Sequence, residues 1–161
     1  MNNHILKSVM TVVLSFLLIL SSMPLMCTSS SNNTLRVISR GNTIIVNASG
    51  GGDYTHIRWA ISNASEGDTV YVEAGTYYEN IYIDKRIKLI GEGENKTILE
   101  GNWMNGIVMI MVNDVHISGF TIIETKTNPD YSRGIGLWEA NGCWIENNVF
   151  TVSQSGIDLD E

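Results

Sequence analysis

The sequence is poor in the residues that staple, stiffen or positively charge a chain. Its 161 residues include 2 Cys and 2 Pro. Cys27 falls at the end of an N-terminal leader-like segment, which leaves Cys143 as the lone thiol beyond it. An intrachain disulfide framework is therefore excluded, and Cys143 reads as a small buried apolar residue. The scarcity of Pro excludes stiff Pro-rich linkers. Basic residues are also few: 10 Lys and Arg against 17 Asp and Glu give a net charge of −7. No basic run or stripe occurs, so the electrostatic footprint of phosphate-backbone binding is missing and nucleic acid is not an expected partner. What remains is a chain with 43% apolar residues and 15 Gly, the composition of one folded domain with many tight turns.

One long apolar run is present, Val9–Leu20, preceded by Lys7 and followed by small polar residues from Ser21 to Ser31. It is shorter than the roughly 20 residues of a comfortable bilayer span, and the pattern reads as an export signal over 1–27. The rival is an uncleaved N-terminal anchor, because no small-x-small cleavage site stands out. Either way this segment is the chain's only expected membrane contact. Met26 is bulky where a lipobox preceding Cys27 would need a small residue, which argues against lipidation. Residues 28–43 read as a spacer with a first short strand, and the folded domain as 44–161. Four Asn-x-Ser/Thr sequons begin at Asn32, Asn47, Asn63 and Asn95; in a host that glycosylates exported proteins they would mark surface loops.

The period of the pattern changes once. After Gly50-Gly51-Gly52, Asp53 is a suitable N-cap, and Ile57, Ala60, Ile61 and Ala64 follow at i, i+3, i+4 and i+7. This predicts a helix over 53–64, ended by Glu66-Gly67-Asp68. Beyond it the runs alternate with period two and are very short: Thr69-Val70-Tyr71-Val72, Ile81-Tyr82-Ile83, Ile87-Lys88-Leu89. Strands this short gain stability only by stacking.

A repeat supplies the stack. Gly106-Ile107-Val108-Met109 is echoed by Gly134-Ile135-Gly136-Leu137 and by Gly156-Ile157-Asp158-Leu159. Ile117 follows the first Gly, and Ile145 the second, at the same interval, so that Ile117 aligns with Ile145, Phe120 with Asn148 and Ile122 with Phe150. One coil of about 22 residues, lengthened by an insertion between Ile123 and Arg133, accounts for these matches. Like residues of successive coils then meet along the axis, and the strands pair in parallel. The helix would cover the N-terminal end. The strand at 155–161 has no comparable cover, so the solenoid is expected to be incomplete there, either continuing or self-associating through an open edge.

Two stretches carry a family likeness. Gly52-Asp53-Tyr54-Thr55-His56-Ile57 with Ala60-Ile61, followed by Asp68-Thr69-Val70-Tyr71-Val72-Glu73-Ala74-Gly75-Thr76-Tyr77-Tyr78-Glu79-Asn80-Ile81, resembles the opening coil of the pectin-lyase-like β-helix superfamily, as found in pectin methylesterases. Gly134-Ile135-Gly136-Leu137 with Asn141-Gly142-Cys143-Trp144-Ile145-Glu146-Asn147-Asn148 resembles the NosD-type repeat, also called the carbohydrate-binding and sugar-hydrolase repeat. The resemblance implies an all-β, right-handed, single-stranded parallel β-helix. It says less about activity, because one fold hosts many functions. Arg133-Gly134-Ile135-Gly136-Leu137 stands where the methylesterases carry a Gln-bearing strand, and the Gln is absent. Gln154–Glu161 does not reproduce their first Asp motif. A methylesterase needs two carboxylates of separated pKa, as nucleophile and acid, and this pattern lacks them.

The candidate ligand-binding residues are Lys126, Asp130, Tyr131 and Arg133 of the insertion, with Trp138, and also Trp144, as aromatic platforms for sugar rings. Their bland reading is a variable loop and ordinary packing. Asp158 and Asp160 face one way on a strand, beside Glu161, and would suit Ca²⁺; the simpler reading is a solvated acidic end, and no other cofactor is expected. Met104, Met109, Met111 and His116 would suit Cu(I), as the NosD likeness suggests, although Met in an apolar strand normally fills a core. His56 and His116 have no neighbouring Cys or carboxylate pattern of a nucleophilic site. The functional expectation is an exported, noncatalytic surface β-helix that contacts polysaccharide. The alternatives are the N-terminal part of a polysaccharide esterase or lyase, and a NosD-like copper-site maturation protein.

Overall fold

The computed structural model describes residues 41–101, 106–125, 133–152 and 154–160, the last without the Asp160 side chain. The leader-like segment, residues 28–40 of the expected spacer and the sequon at Asn32 lie outside the described residues. No helix among the described residues is long and apolar enough to cross a membrane.

Among the described residues the alternating short runs form thirteen strands, with one helix near the start. Strand β1 (Thr43–Val46) and helix α1 (Ile57–Asn63) precede the first coil, made of β2 (Thr69–Val72), β3 (Gly75–Tyr78) and β4 (Ile81–Ile83). The second coil is β5 (Lys88–Gly91), β6 (Thr97–Gly101) and β7 (Val108–Ile110). The third is β8 (His116–Ser118), β9 (Thr121–Glu124) and β10 (Arg133–Trp138), and the fourth is β11 (Trp144–Glu146), β12 (Val149–Thr151) and β13 (Ser155–Asp160). Strands of like place pair in parallel across coils and build three sheets: β1-β2-β5-β8-β11, β3-β6-β9-β12 and β4-β7-β10-β13. The described chain is thus a parallel β-solenoid of about four turns with one short helix, as the repeat predicts.

Period-two alternation sends every second side chain into columns along the axis. In the first sheet Ile44, Val70, Leu89, Ile117 and Ile145 stack in register. In the second, Tyr77, Leu99, Ile122 and Phe150 do so. In the third, Ile81, Val108, Ile135 and Ile157 stack beside Ile83, Ile110, Leu137 and Leu159. The inner members of these columns, with Phe120, form the buried core. Truncating one to Ala should cost about 2–5 kcal/mol.

The pairs Ile117–Ile145 and Ile122–Phe150 stand as the repeat predicts. The Gly106–Gly134 alignment does not: Ile135 pairs with Val108, which places Gly134 one residue later, over Ile107. A side-chain period of two explains the slip. Pairing Gly134 with Gly106 would set inward Val108 against outward Gly136, turning one strand inside out. Gly106 instead occupies a turn at φ 118°. Equivalent positions at the end of the first sheet do fall on Gly for a backbone reason: a Cβ on Gly91 would lie 2.3 Å from the carbonyl oxygen of Gly119. Asn148 clamps the next coil to this corner, accepting from the Phe120 N–H at 3.0 Å and donating to the Ile117 carbonyl at 3.1 Å.

The helix is shorter than the 53–64 expected, and Asp53 is not its cap. The Asp53 carboxylate accepts from the Ile45 N–H at 2.8 Å, holding the preceding turn. The free N–H groups of Ile57 and Arg58 donate instead to the carboxylate of Glu79, at 2.8 and 3.1 Å. At the other end Lys85 Nζ donates to the carbonyls of Ile61, Ser62 and Ala64, at 3.2, 2.6 and 3.0 Å. A negative group at the N-terminus and a positive one at the C-terminus both suit the helix dipole. Both come from the residues flanking β4.

Candidate functional site

The same alternation that fills the core lays out the outer face of the third sheet. Tyr82, Met109, Gly136 and Asp158 form one outward ladder, and the register continues it with Met111 beside Trp138 and Asp160 in the next. Tyr82 is 43% exposed and Trp138 55%. They sit two strands apart, about 10 Å along the axis at the usual strand spacing. Met109 and Gly136, which separate Tyr82 from Asp158 within that ladder, are both buried. Desolvation holds the Tyr82 phenol above its ordinary pKa.

Arg133, at the start of β10, reaches the following coil. Its Nε donates to Asp158 Oδ2 at 2.6 Å. The expected ligand-binding Arg133 and the expected Ca²⁺ ligand Asp158 are therefore one ion pair. A guanidinium beside that carboxylate opposes a divalent cation electrostatically. Among the described residues no three His, Cys, Asp or Glu side chains gather as a metal site.

Two clefts adjoin the face at its N-terminal end, and Asn80 lines both. One, of about 400 Å³, lies between α1 and β4 and is lined by Arg58, Ile61, Ser62, Asn80, Tyr82, Asp84 and Lys85. Lys85 is committed to the helix carbonyls, and Arg58 stacks over Trp59 with its guanidinium carbon 5.2 Å from the ring centre. The other, of about 210 Å³, is lined by Tyr78, Glu79, Asn80, Glu100, Gly101 and Thr125. Thr125 lies within the insertion, and the next described residue after it is Arg133. Lys126, Asp130 and Tyr131, together with Met104 and Glu161, lie outside the described residues.

Trp144 does not join Trp138. It is on β11, on the outer face of the first sheet, in register with Lys88 and His116. There His116 Nε2 lies 3.2 Å from Glu146 Oε1, and its ring is tilted against that of Trp144 at 6.3 Å. The methionines divide similarly: Met109 and Met111 are on or just after β7 of the third sheet, whereas His116 belongs to the first. A copper set is not assembled from these three. Met109 shares its outward parity with Tyr82, yet it is buried among the hydrophobic residues, as a methionine filling an apolar gap would be.

Sequence reasoning missed Tyr82, Asn80, Asp84 and Arg58. The outward parity of Tyr82 was readable in Ile81-Tyr82-Ile83. That it shares a sheet with Trp138 required the register of three coils. Chemically, the face offers exposed rings flanked by amide, hydroxyl and paired charged groups, which suits an extended polar polymer better than an enclosed small molecule.

No protein-family model matches the chain. Over 104 residues it is 30% identical to a pectinesterase of Aspergillus niger, an alignment covering 60% of this chain and 30% of that protein. Pectinesterase 2 of Citrus sinensis is 33% identical over 116 residues, 64% of this chain and 22% of its own length. A cell surface glycoprotein of Methanothermus fervidus is 33% identical over 98 residues, 60% of this chain and 15% of that protein. The chain thus spans a minor part of each relative's length. The solenoid and these partial likenesses fit the pectin-lyase-like β-helix superfamily.

Proposed function

We propose that this is an exported or surface-attached β-solenoid that binds polysaccharide along the outer face of its third sheet. Tyr82 and Trp138 would be stacking platforms, and Arg133 with Lys126, Asp130 and Tyr131 of the insertion would be the polar contacts. The observation that carries the reading is the pair of exposed rings on one sheet face, beside two polar clefts. The likeness to pectinesterases and to a cell surface glycoprotein supports both the polymer and the location. Affinity electrophoresis of the chain through gels containing esterified or de-esterified pectin is the test. Retardation is expected, and Trp138→Ala should weaken it about tenfold, equivalent to ~1.4 kcal/mol. Unchanged mobility in every polysaccharide tried would overturn the assignment.

A second reading follows from the pectinesterase likeness: the solenoid is the opening part of a polysaccharide-modifying enzyme, its nucleophile and acid supplied by further coils. Methanol release from methyl-esterified pectin by a longer form of the protein would favour it. NosD-like copper maturation draws no support from the positions of Met109, Met111 and His116.

A further inference from the structure

Three of the sequons fall on described residues, and the fold treats them differently. At the first, both ends of the Asn47 amide are engaged: Nδ2 donates to the Glu73 carboxylate, and Oδ1 accepts from the Ser49 N–H at 2.8 Å and the Ser49 hydroxyl at 2.6 Å. A sugar on Nδ2 would have to displace Glu73. At the second, Asn63 Nδ2 donates to the Trp59 carbonyl at 2.8 Å, closing the last turn of α1.

The third is built otherwise. Residues 92–96 form the turn between β5 and β6, and its other members are tied down. Glu92 accepts from Lys96 Nζ at 2.8 Å and from the Ala74 N–H at 3.0 Å. The Gly93 carbonyl accepts from the N–H groups of Lys96 and Thr97, both at 2.9 Å, and the Lys96 carbonyl accepts from the Gly75 N–H at 2.9 Å. The Glu94 carbonyl accepts from the Thr121 hydroxyl. Asn95 is exposed, and its side chain has no bond among the described residues. The turn is therefore a rigid mount with one unengaged amide at its tip.

We propose that Asn95 carries an N-linked glycan, attached before the chain folds. The inference rests on the exported reading above, because the donor is a lipid-linked oligosaccharide on the export side of a membrane. In the transfer, Asn95 Nδ2 forms a bond to C1 of the donor sugar, the C1–O bond to the lipid pyrophosphate breaks, and the amide releases one proton. The order of events follows from Thr97. The sequon is read through its hydroxyl residue, and in the fold Thr97 is fully buried, its Oγ1 donating to the Val72 carbonyl at 3.3 Å and accepting from the Glu92 N–H at 3.0 Å. Folding hides the recognition element and leaves the modified amide outside. The turn joins the first sheet to the second, across the coil from the third, so the glycan would leave the polymer-binding face uncovered.

The test is peptide mapping by mass spectrometry of the chain secreted from an N-glycosylating eukaryotic host. It is made twice, with its own N-terminus and behind the host's own leader. Modification at Asn95, lost in Asn95→Gln, is expected in the second form whatever becomes of the first. Retention of the first form in the cytosol would count against export alone. Secreted protein unmodified at Asn95 would overturn the proposal. Folded, unmodified protein given oligosaccharyltransferase and donor should stay unmodified at Asn95, while a peptide spanning 90–100 is modified; equal modification of both would overturn the order.

Discussion

Tyr77 heads a column whose next members are Leu99 and Ile122. Its ring is buried, and its hydroxyl donates to the Glu73 carbonyl at 3.0 Å, with the Val46 carbonyl at 3.3 Å. A buried phenol resists ionisation, so desolvation, reinforced by the charges of Glu73, Glu79 and Glu92, raises its pKa above the ordinary 10.0. A raised value in the folded state means that Tyr77 keeps its proton longer there than in the unfolded chain. Its contribution is complete below the unfolded pKa and is lost as pH climbs through the folded one. Tyr77→Phe should cost about 1 kcal/mol at pH 7 through the lost hydrogen bond and should flatten the fall in stability above pH 10. Urea titrations at pH 7, 9 and 11 measure both; a fall above pH 10 as steep in the variant as in the parent would refute the assignment.

At the scale of elements, α1 is seven residues long, too short to persist by its own propensity. It is held by packing of Ile57, Ala60 and Ile61 and by the two charged groups that flank β4. Glu79→Gln keeps one acceptor oxygen and should lose about 1 kcal/mol, while Glu79→Ala orphans two N–H groups and should lose about 2–3 kcal/mol. Chemical denaturation monitored by Trp59 fluorescence would separate them; identical midpoints for parent and Ala variant would remove Glu79 from the role. The stripe Ile57, Ala60, Ile61 was legible in the sequence because 3.6-residue periodicity is local. The cap was not, because Glu79 lies 22 residues downstream and only the closing of the first coil brings it to the helix. Asp53, the locally plausible cap, is recruited by β1 instead.

Across the whole molecule, stability is a sum over stacked coils, and burial falls at one end. Ile157 and Leu159 occupy core columns, yet they are 41% and 70% exposed. In the 161-residue chain, the amides of β11 to β13 should exchange with deuterium at least about tenfold faster than those of β5 and β8, a difference of ~1.4 kcal/mol in local opening. Protection of β13 equal to that of β10 would mean that a strand of a second copy is paired at that edge.

By itself the sequence determined the coiled parallel architecture, since period-two runs of three to five residues that recur at one coil length bury their side chains by stacking coil on coil. It also determined the inward columns Ile117–Ile145 and Ile122–Phe150. Only the tertiary structure decided the one-residue register at Val108–Ile135, the separation of Trp138 from Trp144, the union of Arg133 with Asp158, and which sequon leaves its amide free. Each of these depends on which coil position faces which neighbour. That relation is fixed by turn lengths and corner contacts between residues far apart in the chain, whereas periodicity reports only what adjacent residues share.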